Sequence, residues 1–202
     1  MVWALLRGLA IGFSIASVIG PIGLLCIRRS LDEGWSVGAA TGLGAATADG
    51  LYAAVAAFGL NAIADLLVGG RKPLGVVGGC VLVAVAVRLL LSPREPAADR
   101  PPRSLLSAYA TTVGLTLANP ATIILFGAAF VGLGLEGHDA PTAAALTLGV
   151  VAGSAAWWVF LATTVSFFRS RFGPVAVRRL ATGSSVLMGL LGLAAVAGSL
   201  AP

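Results

Sequence analysis

Apolar residues in this chain fall into six long runs separated by short polar connections. The runs cover approximately 3–27, 35–60, 73–91, 105–135, 141–168 and 182–200. Each holds about 19 to 31 residues, enough to cross a ~30 Å hydrocarbon core at a helical rise of 1.5 Å per residue. Spanning strands need only ~10 residues and alternate polar with apolar positions. These runs are longer and apolar all round, so helices remain as the way to satisfy their backbone in lipid. The pattern predicts an all-α, polytopic membrane protein of six transmembrane helices.

Composition agrees with that pattern. The chain is 58% hydrophobic and 10% charged over 202 residues, with a mean hydropathy of +0.98. Soluble domains carry near 25% charge, so a water-soluble enzyme or a nucleic-acid binder is excluded as the expectation. The net charge of +5 is spread over the connections rather than gathered on one face. Assigned by side, Arg7, Arg71 and Lys72 make three, and the other ten of the thirteen basic residues lie opposite. Those ten include Arg28, Arg29, Arg94, Arg100, Arg103, Arg169, Arg178 and Arg179. The basic side is expected to be cytoplasmic, which places both termini outside a cytoplasmic membrane. The apolar run at the start continues past Pro21 with no small-residue cleavage pattern, so its retention is expected.

The longest connection, SPREPAADRPPRS at 92–104, contains four prolines that forbid a continuous helix. It divides a single domain into half one, 1–91, and half two, 105–202, of three runs each. An odd number of spans per half makes the halves face opposite ways, the plan of an inverted repeat. The first run of each half carries a helix breaker: Gly20-Pro21 with Gly23 in one, Asn119-Pro120 in the other. Broken spans in matching positions point to a substrate site.

Asp49 stands in the middle of the second run, with no Lys, Arg or His in GLGAATADGLYAAVAAFGL. An Asp at that depth costs about 2.5–3.5 kcal/mol on the insertion scale, and an acid this costly faces an internal path by default. Trp157 and Trp158, in mid-run, occupy the place an inverted repeat gives to the counterpart of Asp49; they are either packing aromatics or a cavity wall. The spacings Gly8/Gly12, Gly38/Gly42, Gly75/Gly79 and Gly149/Gly153 read as helix-packing faces, which would also permit a homo-oligomer. Cys26 and Cys80 form no CxxC and read as packing residues, and His138 alone cannot build a transition-metal site.

The run IGPIGLLCIRRSLDEGWSVGAATGLGAATADGLYAAVAAFGL resembles the N-terminal half of the LysE/RhtB family of amino-acid exporters. Gly20 and Pro21 match the Gly and second Pro of its Pro-Gly-Pro, Gly34 its loop glycine, Asp49 its acid, and Gly59-Leu60 the end of its second helix. Asn119 and Pro120 match its Asn-Pro helix, and Ser154 with Trp157 and Trp158, a candidate cavity wall, is similar to its fifth helix. Ile19 stands where the family has the first Pro, and Ala48 where a Gly precedes the acid. The resemblance covers nearly the whole chain. It implies a non-enzymatic exporter of a small zwitterion, an amino acid or close derivative, driven by proton exchange without a cofactor. Asp49 would be the coupling or amine-binding carboxylate. Gly20, Pro21 and Gly23 would open the first helix to the substrate, and Asn119 and Pro120 would do so from the other half. The absence of a Walker-type phosphate loop also points to an ion gradient. Two other classes stay open on the residues alone. One is a membrane thiol-electron carrier using Cys26 and Cys80; the other is a non-transporting membrane protein.

Overall fold

A computed structural model describes residues 1–18, 20–58, 104–119, 139–169, 171 and 174–200, with 76, 77, 80, 83, 84, 86, 87, 90, 91, 122, 123, 125 and 126 between them. Every regular element among them is helical. The elements are α1 (Val2–Ser17), α2 (Pro21–Asp32), α3 (Trp35–Ala57), α4 (Leu105–Leu117), α5 (Ala140–Arg169) and α6 (Pro174–Leu200). The third run, Pro120, His138 and the Gly75/Gly79 pair lie outside the described residues, apart from the few positions named between 76 and 91.

The first apolar run is two helices rather than one continuous helix. α1 and α2 meet at 76°. Gly20 is the N-cap of α2 in an extended conformation, and Pro21 opens the helix, where its missing N–H costs nothing. α2 then continues to Asp32, so Arg28 and Arg29, expected in a connection, are helical. The turn into α3 needs Gly34, whose φ of 96° is a left-handed conformation that side chains resist. At the other end of the chain α6 begins at Pro174 instead of near 182, because proline again serves as a first-turn residue and Arg178 and Arg179 continue the helix. By length and hydropathy, α5 qualifies as a membrane span among the described residues, and the bent α1–α2 pair qualifies if counted as one.

α1 runs along α5, while α3 packs against both α5 and α4. Glycines set the first contact. A Cβ on Gly8 or Gly12 would strike the α5 backbone at Leu146 or Val150, and one on Gly149 or Gly153 would strike α1 at Leu5 or Leu9. The two GxxxG pairs therefore interlock with each other. Gly38 and Gly42 likewise admit Ser30 and Trp158. Since Gly8/Gly12 and Gly149/Gly153 are occupied within the chain, an oligomer would have to use other faces.

The distribution of polarity is the reverse of a water-soluble globule. Leu6, Leu51, Leu148, Phe160 and Phe167 are exposed, while Arg28, Arg29, Thr41, Thr112 and Ser154 are buried. A surface of this kind suits lipid. The two arginines are spent on holding helices together. Arg28 Nε donates to Asp32 at 3.1 Å, and its Nη1 donates to Ser185 of α6. Arg29, 3% exposed, donates from Nη1 to Thr41 of α3 at 2.9 Å and to Thr112 and the Ala108 carbonyl of α4 at 3.0 and 3.1 Å. Its Nη2 donates to Thr111 at 3.1 Å. Both were counted above as loop charges; without them the expected division of the other eleven basic residues is eight to three. Thr112→Val keeps the shape of the side chain but removes an acceptor from a buried cation. It is expected to destabilise the protein by about 1–3 kcal/mol, visible as a lower thermal midpoint in detergent.

Candidate functional site

The α1–α2 break, the middle of α3 and the end of α4 line a partly open cavity of about 80 Å³. Six of the residues singled out in the sequence line it: Gly20, Pro21, Gly23, Asp49, Asn119 and Trp158. Ile15, Val18 and Leu125 form an apolar wall, and Thr116 and Thr122 add hydroxyl-bearing side chains.

Asp49 reaches the cavity through helical geometry. Thr41, Ala45 and Asp49 recur every four residues on one face of α3. Thr41 meets Arg29, while Ala45 and Asp49 line the cavity. Asp49 is 4% exposed, and burial of a carboxyl without hydrogen bonds is costly. Part of that cost is offset by α5, because Ser154 Oγ donates to Asp49 Oδ2 at 2.6 Å. Trp158 Nε1, one turn further on, donates to Ser154 Oγ at 3.1 Å. The donors thus form a chain from indole to hydroxyl to carboxyl, each polarising the next. Ser154 therefore stands behind Asp49 rather than on the cavity wall.

Trp157 points elsewhere. Its ring meets Phe13 of α1 edge to face, with centroids 5.4 Å apart, and leans on Phe160. It belongs to the α1–α5 seam, and Trp158 alone of the pair lines the cavity.

The two helix breaks are treated differently. At the end of α4 the Asn119 carbonyl accepts from the N–H groups of Thr122 and Ile123, at 3.1 and 3.3 Å. The Leu117 carbonyl freed there is taken by Tyr52 Oη at 2.6 Å, so that acceptor is not left for a substrate. Tyr52 stands three residues beyond Asp49 and stacks on Phe126, with ring centroids 5.8 Å apart. At the start of α2, by contrast, no side chain caps the helix. Tyr52, Thr116 and Arg29 were not singled out from the sequence. The faint signal for Thr116 is its position four residues after Thr112 and three before Asn119.

The two cysteines are free. Cys26 is buried against α3, its thiol 3.5 Å from the Gly38 carbonyl, and Cys80 is exposed.

No solved structure matches the chain. A curated relative from Bacillus subtilis (strain 168), named "Putative amino acid efflux protein YcgF", is 29% identical over 176 residues, covering 80% of this chain and 80% of that protein. The family model described as LysE type translocator matches residues 13–199, which include both helix breaks, Asp49 and the α5 partners that hold it. An apolar exterior, a largely apolar cavity that holds a buried acid at the helix breaks, and a match over nearly the full length agree with one another, and the chain belongs to the LysE/RhtB family of translocators, membrane transporters of small solutes rather than enzymes.

Proposed function

We propose that this protein exports an amino acid or a close derivative across the cytoplasmic membrane in exchange for protons. Asp49 is the group that meets the amine or the proton, and the cavity around it is the substrate site. The observation that carries this reading is the position of the acid: buried, hydrogen-bonded from one side by Ser154, and lining a cavity that the α2 start and Asn119 also line. The name of the Bacillus relative supports the substrate class. In this reading six spans form two inverted halves, 1–91 and 105–202, joined by a cytoplasmic linker at 92–104, with both termini outside. The helix pairing supports it. α1 packs on α5 and α3 on α4, so the first helix of each half lies on the second helix of the other. Alternating access would come from rocking one half against the other, with Gly20, Pro21, Gly23, Asn119 and Pro120 at the moving breaks.

The test is efflux from proteoliposomes loaded with a panel of amino acids, with and without a pH gradient. At least one amino acid is expected to leave several times faster when protons can be exchanged. Efflux blind to the gradient would remove proton coupling, and no efflux of any panel member would remove the substrate class. Repeating the assay with Cys26→Ala and Cys80→Ala combined separates the thiol-electron reading, because an amino-acid exporter is expected to keep its rate.

A further inference from the structure

Thr116 breaks the pattern of its neighbours. Thr41, Thr111 and Thr112 each return their hydroxyl proton to the carbonyl four residues back on their own helix, at 2.8, 2.6 and 2.8 Å. This is the usual resting place for a helical threonine. Thr116, 3% exposed, makes no such bond: its Oγ1 is buried without a hydrogen-bond partner among the described residues, and the residue lines the cavity. An unsatisfied buried hydroxyl costs about 1–3 kcal/mol, which a ligand bearing an acceptor would relieve.

The start of α2 lines the same cavity. The helix has 12 residues, and its N-cap, Gly20, offers no side-chain oxygen to the first turn. Pro21 has no N–H, and the first intrahelical bond runs from the Leu24 N–H to the Gly20 carbonyl at 3.1 Å. The N–H groups of Ile22 and Gly23 precede that bond and are first-turn donors. They carry the positive end of the helix dipole, which favours an anion. Space is available, since a Cβ built on Gly20 would meet nothing within 4 Å.

We infer that Thr116 Oγ1 and the Ile22 and Gly23 N–H groups form a carboxylate subsite facing Asp49, so that the cavity takes a molecule with a free carboxylate and an ammonium group together. The assignment rests on the exporter reading above and specifies it. An acceptor-only carboxylate satisfies all three donors, whereas a carboxamide brings N–H groups and no charge. Asp49 takes the opposite end of the zwitterion. The charged head group lies between these donors and Asp49, with the side chain directed along Ile15, Val18 and Leu125.

The experiment pairs each amino acid exported in the proteoliposome panel with its own carboxamide, L-alanine with L-alaninamide and L-leucine with L-leucinamide. Wild-type protein is expected to prefer the acid by about tenfold or more in efflux per concentration. Thr116→Val is expected to raise the KM for the acid by about tenfold and to shrink the preference for acid over amide, and Thr116→Ser is expected to restore both. Equal handling of acid and amide by the wild type overturns the subsite, and that measurement does not depend on the variant folding. A Thr116→Val protein that handles the acid as the wild type does also overturns it. Either result would leave Asp49-dependent amino-acid export standing, whereas a wild type that exports no amino acid removes both readings.

Discussion

Asp49→Asn is expected to lower efflux by roughly 10- to 100-fold while the protein still folds and inserts. The factor follows from losing a charge-assisted hydrogen bond at a buried carboxylate, about 1.5–3 kcal/mol. Folding survives because the amide keeps the shape and retains a carbonyl oxygen to accept from Ser154, so the Trp158 to Ser154 chain is preserved. Removing a buried acid also removes a cost of insertion. Export from cells and the amount of protein in the membrane fraction, measured together, separate the two effects. Efflux within about twofold of the wild type, at equal membrane abundance, would contradict a role for the carboxylate; the range comes from the hydrogen-bond estimate above.

Gly12→Leu is expected to have the largest effect on the fold. The added Cβ would lie on the carbonyl, Cα and C atoms of Val150. Those are backbone atoms of a packed helix and cannot rotate away. Ordinary overpacking costs about 1–3 kcal/mol; forcing apart two helix backbones over the Gly8/Gly12 and Gly149/Gly153 contact exceeds that. Against a typical total of about 5–15 kcal/mol, most of the protein should be lost from the monodisperse fraction after detergent extraction. Gly114→Ala is the control. A Cβ there meets nothing within 4 Å, and replacing glycine in a helix interior gains about 0.5–1 kcal/mol. A Gly12→Leu protein extracted as well as the Gly114→Ala control would show that the α1–α5 contact does not hold the fold.

Much of this was legible before any coordinates. Asp49 was conspicuous because a lone acid in an apolar run has no local way to offset its desolvation. Gly20-Pro21 and Asn119 were legible because proline and its neighbours interrupt helices by covalent geometry. The Gly8/Gly12 and Gly149/Gly153 spacings were visible as faces, but which face met which was not, since pairing is decided by three-dimensional packing. The sequence misled at Arg28 and Arg29. Charge next to an acidic pair reads as a loop, yet threonines on two other helices supply the acceptors that let Arg29 be buried. Those acceptors lie 12 and about 80 residues away, beyond any local pattern. Tyr52 escaped notice for the same reason, because its value lies in capping a carbonyl 65 residues distant. The early start of α6 is hidden because a cluster of arginines after a proline reads as a connection, although Pro at the first turn begins helices.

The central claim is that Asp49 exchanges its proton against the substrate. The most direct measurement is proton release from purified protein in weakly buffered detergent when the exported amino acid is added, wild type beside Asp49→Asn. The wild type should release protons with a saturable dependence on the amino acid, and the Asp49→Asn protein should release none. Equal release from both proteins would contradict the account.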